Sequence, residues 1–176
     1  AICLFFVAFT GCAGEYGSGD SYRKKYMYVG TGDLCQTAYL IVDSLVENVQ
    51  TPLSPDQIIL VASFVDVNNV QRTSNFGRML AEQMTSRLAQ NGYMVVEVKL
   101  RDSLYVRERE GEFLLSRKLR DIRTAHDAQA VVVGTYLVTP QDLYLSARLV
   151  RAQDGKIVSS CDVKIPLRED LKATLW

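Results

Sequence analysis

The sequence predicts a single α/β domain of the α+β type, in which three helices pack on a mixed sheet of about five strands. Between Ile58 and Val98, an apolar run, a helical pattern and a second apolar run follow one another, as in a central βαβ unit. After residue 130, a fully apolar run precedes two alternating runs, as in a carboxy-terminal antiparallel hairpin beside a buried strand. A chain of 176 residues is long enough to bury such a core.

The amino-terminal residues predict a lipoprotein signal. Residues 1–9 are almost wholly apolar and lead through Thr10 and Gly11 to Cys12. The run is too short to span a bilayer, which takes about 20 apolar residues, whereas small residues before a cysteine resemble the bacterial lipobox. We expect residues 1–11 to be the remnant of a signal peptide and Cys12 to carry lipid. The alternative is a buried apolar segment with an incidental cysteine.

Residues 12–32 are expected to form the lipidated cysteine and a flexible tether. Glycine and serine are frequent from Ala13 to Gly19. Ala13 stands where an aspartate would retain a bacterial lipoprotein in the inner membrane, which favours the outer membrane. Basic residues then lie among aromatic ones from Tyr22 to Tyr28, a pattern that favours packing on a neighbouring subunit or a solvated segment; contact with anionic lipid or nucleic acid is the alternative.

Residues 33–176 are predicted to form the domain, which opens with a helix. Asp33 with Gln36 makes a capping box. The apolar face of the helix is expected to comprise Ala38, Ile41, Val42, Leu45 and Val49. The run from Ile58 to Val65 is then expected to be one buried strand, closed by the turn-forming residues Asp66, Asn68 and Asn69.

The second predicted helix begins at Ser74, a good N-cap residue, and ends at Asn91-Gly92. Its inward face is expected to comprise Phe76, Met79, Leu80, Met84 and Leu88. A strand from Tyr93 to Val98 completes the βαβ unit.

The carboxy-terminal half predicts a loop, a third helix and three strands. The loop covers the charged residues 101–112, and the helix turns Leu115, Leu119 and Ile122 inward. The strand of residues 130–136 is apolar throughout and should be central. The inward positions of the hairpin, which turns at Asp154-Gly155, are expected to be Leu143, Leu145, Ala147 and Leu149, followed by Ile157, Ser159, Cys161, Val163 and Ile165.

Composition and motifs argue against an enzyme. Twenty basic and twenty acidic residues cancel, which gives no electrostatic case for nucleic-acid binding. His126-Asp127 are adjacent and cannot orient one another as a catalytic pair would. Gly30-Thr31-Gly32 lacks the strand and third glycine of a dinucleotide loop, and Glu108 and Glu110 fit a solvated loop. We expect no cofactor, metal or small-molecule substrate.

The four cysteines, at positions 3, 12, 35 and 161, match no zinc spacing. Cys35 and Cys161 would remain in the mature domain. In an oxidising periplasm they could form a disulfide, but a free cysteine is also a common small core residue. The sequence leaves both alternatives open.

Three stretches of the sequence resemble the FlgO family of bacterial flagellar outer-membrane lipoproteins. The first joins the strand at Ile59 to Ser74-Asn75-Phe76-Gly77 and to Gly92-Tyr93-x-Val95-Val96-Glu97; the others are Val132–Tyr136 and Leu145-x-Ala147-Arg148-Leu149-Val150 with Asp154–Val158. The resemblance covers roughly residues 34–167. It implies a structural protein that does no chemistry and assembles, as a homo-oligomer with other basal-body or ring proteins, around the flagellum.

The resemblance also implies a place in the cell: the periplasmic face of the outer membrane, with the cell surface as an alternative. Similar α/β modules occur in other envelope lipoproteins. The second hypothesis is therefore a periplasmic binding or regulatory module of another envelope machine, similar to TolB or LpoB. Loss of swimming on deletion would favour the first hypothesis, and altered wall synthesis or drug sensitivity the second.

Overall fold

The computed structural model describes residues 27–28, 33–98 and 127–175. The predicted loop of residues 101–112 and the predicted third helix lie outside these ranges. The strands are β1 (Met27–Tyr28), β2 (Ile58–Ala62), β3 (Val65–Asp66), β4 (Asn69–Thr73), β5 (Val95–Val98), β6 (Ala128–Val138), β7 (Asp142–Arg151) and β8 (Ile157–Pro166). The helices in the described ranges are α1 (Leu34–Glu47), α2 (Asn75–Gln90) and the short α3 (Glu169–Lys172).

All of these strands join one mixed sheet, which confirms the predicted fold class. Its order is β1-β8-β7-β6-β2-β5, and β3 also pairs with β6 and carries β4 on its other side. The pairs β2–β5 and β2–β6 are parallel, whereas β7 is antiparallel to both β6 and β8. The sheet is larger than the predicted one because β1, β3 and β4 are short strands with weak patterns. β1 lies within the range predicted as tether.

The predicted strand from Ile58 to Val65 is interrupted. β2 pairs with the first half of β6, and β3 pairs with the second half from Val65↔Thr135 onward. Between the two strands, the N–H of Phe64 donates to the carbonyl oxygen of Gly77 on α2, at 3.1 Å. The chain leaves the sheet at Phe64 because it bonds to the helix there.

Helices α1 and α2 cover one face of the sheet and begin as predicted. The Asp33 side chain accepts a hydrogen bond from the N–H of Gln36, and the Ser74 side chain accepts one from the N–H of Gly77. α2 ends at Asn91, and Gly92 follows with a φ of 87°, a conformation that glycine adopts freely. The largest side chains buried in the core are Ile41, Leu45, Ile59, Phe64, Phe76, Leu80, Met84, Leu143 and Leu149.

Two predicted core positions are wrong. Met79 is 40% exposed, because Phe76, Leu80 and Met84 define the buried stripe of α2 and Met79 lies beside it. Ile157 is 54% exposed. The β7–β8 register shifts between Leu149, which pairs with Ser159, and Val150, which pairs with Ile157. This irregularity breaks the alternation that would have turned Ile157 inward.

The second face of the sheet carries its own apolar cluster at the end where β6 begins. The buried members are Leu60, Ala62, Ala128, Val131, Val133, Val150 and Ala152.

On the helix-covered face, the carboxy-terminal tail also joins the core through Leu171. The carbonyl oxygen of Thr174 accepts a hydrogen bond from the N–H of Phe76, at 2.7 Å. The tail thus satisfies an amide at the first turn of α2, which has no partner within the helix.

Candidate functional site

The Ser-x-Phe-Gly stretch at the start of α2 forms a tight junction with the sheet. A Cβ atom on Gly77 would overlap the carbonyl oxygen of Phe64, so only glycine lets the helix approach that backbone. The ring of Phe64 in turn fills the space where Gly134 on β6 has no side chain. The two glycines therefore let α2 and β6 pack closely against Phe64, which lies between β2 and β3.

Tyr136 extends this junction. Its hydroxyl donates to Oγ of Ser74 at 2.7 Å, and its ring meets that of Phe76 edge-on, with centroids 5.0 Å apart. Ser74 thus accepts from both Tyr136 and the N–H of Gly77. The side chains of the motif that carries the family resemblance thus make packing and capping contacts in this structure.

A row of side chains crosses the other face of the sheet and is only half covered. Lys164 pairs with Tyr144, and Tyr144 pairs with Leu137, so these side chains point to the same face. Val67 extends the row: its N–H donates to the carbonyl oxygen of Tyr136 at 2.9 Å, and it lines the same groove as the other three residues. We call Lys164, Tyr144, Leu137 and Val67 the outer row. Leu137 is 37% exposed, Tyr144 43% and Val67 52%.

The charge in the outer row is held in place by its neighbours. The ammonium of Lys164 lies 3.0 Å from a carboxylate oxygen of Asp142 and 5.6 Å from the centre of the Tyr144 ring. The hydrogen bond to Asp142 raises the pKa of Lys164. A groove of about 340 Å³ runs along the row and is bordered by Thr135, Ser146 and Asp162. The surface is therefore aromatic and apolar at its centre, with charges of both signs at its edge.

A second cavity, of about 360 Å³, lies at the opposite end of the sheet, where β6 begins. Some of the polar side chains that line it already make hydrogen bonds within the protein. The amide of Gln129 bonds to Ser54 and Gln57, and Nε of Arg151 donates to Asp154 at 2.9 Å. Asp127, with a φ of 48°, stands at the rim. Among the described residues that line this cavity, Asp127 and Arg151 are the charged ones.

Cys12, the predicted lipidation site, lies outside the described ranges. The same holds for the motifs that the sequence analysis rejected as catalytic or cofactor-binding sites: Gly30-Thr31-Gly32, Glu108, Glu110 and His126. Asp127 is described and is exposed at the start of β6. Within residues 27–28, 33–98 and 127–175, no group of three His, Cys, Asp or Glu side chains could hold a metal ion. Among the helices described there, none is both long and apolar enough to cross a membrane.

Cys35 and Cys161 are both free thiols in this structure, Cys35 exposed on α1 and Cys161 buried on β8. Burial raises the pKa of Cys161, and a hydrogen bond with Ser44 opposes that rise. Ser44 lies nine residues after Cys35 on the same helix, about 13 Å along its axis. Disulfide formation needs Cα atoms within about 7 Å, so a bond between the two would require movement of the backbone.

An ion pair ties α1 to α2 on their outer side. Arg87 donates to both carboxylate oxygens of Asp43, at 2.8 and 2.7 Å, and Asn91 adds a hydrogen bond at 3.2 Å. The guanidinium also lies 5.2 Å from the centre of the Tyr39 ring. The hydrogen bond from Arg87 lowers the pKa of Asp43. This contact joins the two helices that cover the core.

Comparison with protein families gives a match to the model described as FlgO protein over residues 39–170. A comparison with curated protein sequences gives no significant match.

Solved structures share the fold. The C-terminal domain of LpoB from Salmonella enterica matches with a TM-score of 0.58 and 17% identity, covering 77% of this chain and 99% of that one. The same domain from Escherichia coli matches with a TM-score of 0.52 and 17% identity, covering 75% of this chain and 97% of that one. At this level of identity the likeness concerns the fold alone.

Proposed function

The chain belongs to the FlgO family, and on that premise we propose that it is a non-enzymatic lipoprotein of the cell envelope that supports motility as a structural part of the flagellum at the outer membrane. The observation that carries the proposal is the family match over residues 39–170, which includes α2 and every strand from β2 to β8. The junction of Phe64, Ser74, Phe76 and Gly77 lies inside that range. The domain supplies a rigid scaffold rather than a reaction centre.

The anchor in this proposal is Cys12. Acylation after removal of residues 1–11 would supply more than one lipid chain, each contributing about 0.8 kcal/mol per buried CH₂ group, and two such signals give stable anchoring. The Cys12→Ser variant is expected to stay uncleaved or to leave the membrane fraction. Fractionation of cells that express the variant measures this. Retention of the variant in the outer membrane at the wild-type level would contradict the anchor.

Assembly around the flagellum is the second step of the proposal. An anchor confines copies to one surface, where high local concentration lets weak contacts act together. The zero net charge of the chain removes long-range repulsion between copies. We propose homo-oligomers in contact with basal-body or ring proteins, at the periplasmic face of the outer membrane.

Deletion of the gene tests this step. The expected outcome is impaired swimming, with flagella that are missing or unstable where they cross the outer membrane, and rescue by the wild-type gene but not by Cys12→Ser. Intact flagella and normal swimming in the deletion strain would overturn the proposal.

The second candidate function is a periplasmic binding or regulatory lipoprotein module that serves another envelope machine, as TolB-like or LpoB-like modules do. The fold shared with the LpoB C-terminal domain favours it. Under this alternative, the deletion strain would swim normally and show altered wall synthesis or drug sensitivity. The same strain therefore separates the two candidates.

A further inference from the structure

The outer row is a concentration of exposed apolar side chains rather than scattered surface residues. Leu137, Tyr144 and Val67 are three of the seven large apolar side chains that are exposed among the described residues, and one groove of about 340 Å³ touches all three. Leu143 and Leu145, on the same strand as Tyr144, are almost completely buried on the other face. The row is therefore apolar without being part of the core, a pattern that marks interaction surfaces.

The chain enters the sheet at one end of this row. In the parallel β1–β8 pair, Tyr28 pairs with Lys164, which is the first member of the outer row. Since β1, β8, β7 and β6 are consecutive neighbours about 4.8 Å apart, Leu137 lies roughly 14 Å from the point of entry. Whatever holds the amino-terminal segment holds the outer row close to it.

The length of the preceding segment limits that distance. From Cys12 to Met27 the chain advances 15 residues (27 − 12), a length of chain that can bridge at most about 50 Å. The segment ends in Tyr22-Arg23-Lys24-Lys25-Tyr26, just before β1. Tyrosines and basic side chains are the residues enriched where proteins meet lipid headgroups.

We infer that the outer row docks on a lipid bilayer with anionic headgroups, so that the domain lies with this part of the sheet against the membrane. Leu137 and Val67 enter the interface, Tyr144 lies at headgroup level and Lys164 keeps its charge in the wet layer. The inference rests on the lipid anchor of the proposed function. It adds an orientation: the face covered by α1 and α2 points away from the membrane, free to meet protein partners.

Vesicle binding tests this with a matched pair of variants. The protein is the chain from Ala13 to Trp176, unlipidated, which retains every described element. The test variant combines Leu137→Ser and Tyr144→Ser, at positions 37% and 43% exposed. The control combines Leu40→Ser and Met79→Ser on the helices, at positions 37% and 40% exposed. Co-sedimentation with vesicles of phosphatidylethanolamine and phosphatidylglycerol gives the partition coefficient, after thermal unfolding confirms that each variant is folded.

We expect the test variant to lower the partition coefficient at least about tenfold and the control to change it less than about twofold, because membrane binding scales with buried apolar area. Raising the salt concentration should weaken binding to the anionic vesicles but leave the ratio between the two variants unchanged. Absence of wild-type binding, or equal losses in both variants, would overturn the inference.

A third outcome is that the wild type does not bind vesicles and the test variant changes the oligomeric state. The outer row would then be an interface between copies of the protein, and the membrane inference would be overturned. The protein used in the vesicle experiment begins at Ala13, so it lacks Cys12, and the experiment involves no flagellum. A negative vesicle result therefore leaves the motility proposal standing. Conversely, normal swimming in the deletion strain does not affect the vesicle result.

Discussion

The two faces of strand β7 both carry large apolar side chains, which are buried on one face and partly exposed on the other. On the helix-covered face, Leu143, Leu145 and Leu149 are at most 2% exposed. On the opposite face, Tyr144 is 43% exposed, although its neighbour on β6 is Leu137. Burial by α1 and α2 explains the first set, and nothing in folding requires the second. Apolar residues that the fold does not use are where function is to be sought.

Shortening one side chain on each face of β7 tests this difference most directly. Leu145→Ala should lower the free energy of unfolding by about 3 kcal/mol, since the core cannot fully close around the lost side chain. Tyr144→Ala, one residue away, should lower it by less than about 1 kcal/mol, as expected for a surface position. Urea unfolding of both variants measures the difference. Similar losses would mean that the outer row is part of the core.

The junction between α2 and the sheet gives the next largest effect. Gly77→Ala places a methyl group against the carbonyl of Phe64, a rigid backbone atom, and should cost about 2–3 kcal/mol. Ser86→Ala, on the exposed side of the same helix, is the control and should change stability by less than about 0.5 kcal/mol. A neutral Gly77→Ala variant would show that the helix can shift away from Phe64.

The hydroxyl of Tyr136 contributes less. Tyr136→Phe removes the 2.7 Å hydrogen bond to Ser74 and should cost about 1 kcal/mol. Ser74→Ala removes that bond and the N-cap together, at about 1–2 kcal/mol. In the double variant the two losses should not add, because they share one interaction. Strictly additive losses in unfolding experiments would contradict the contact.

The ion pair on the outer side of the helices should contribute about 0.5–1 kcal/mol at pH 7, the difference expected between the wild type and Asp43→Asn. Because folding lowers the pKa of Asp43, this stability is fully present above the unfolded pKa of about 4 and is lost as the pH falls through the lower folded pKa. The two unfolding curves should therefore converge in acid. Glu47→Gln, exposed at the end of α1, is the control and should not reproduce this pH dependence. A difference in unfolding free energy between the wild type and Asp43→Asn that persists below pH 3 would be inconsistent with this pair.

The smallest expected effect is a null one. With Cys35 and Cys161 both free, a reducing agent should not shift the unfolding midpoint. Thiol labelling should modify Cys35 in the native protein and Cys161 only after unfolding. A disulfide would instead contribute about 2–4 kcal/mol, lost on reduction, and would leave no reactive thiol in the denatured, unreduced domain.

Local signals allowed the helix starts and the hairpin to be predicted. Asp33 and Ser74 cap α1 and α2 through bonds within three residues, and Leu143 to Leu149 alternate as β7 requires. The interruption at Phe64 could not be predicted in this way, because it depends on a carbonyl of α2 that only the folded chain brings near. Ile157 was misplaced for a similar reason, since the register shift arises in the pairing of two strands.

The outer row was missed altogether at the level of sequence. Tyr144 was one of the outward residues of an alternating strand, and Leu137 and Val67 lay beyond the ends of predicted strands. Only the register across β8, β7 and β6 puts Lys164, Tyr144 and Leu137 side by side. A site of this kind is assembled from residues far apart in the chain, so no window of sequence contains it.

The hydrogen bond from Phe76 to Thr174 has a consequence for the order in which the molecule matures. Thr174 is synthesised long after Phe76, yet its carbonyl oxygen completes the first turn of a helix that begins at Asn75. Long-range contacts of this kind form late and slowly. Until Thr174 is in place, the junction around Phe76 lacks one of its hydrogen bonds, so the nascent chain is less stable than the completed domain.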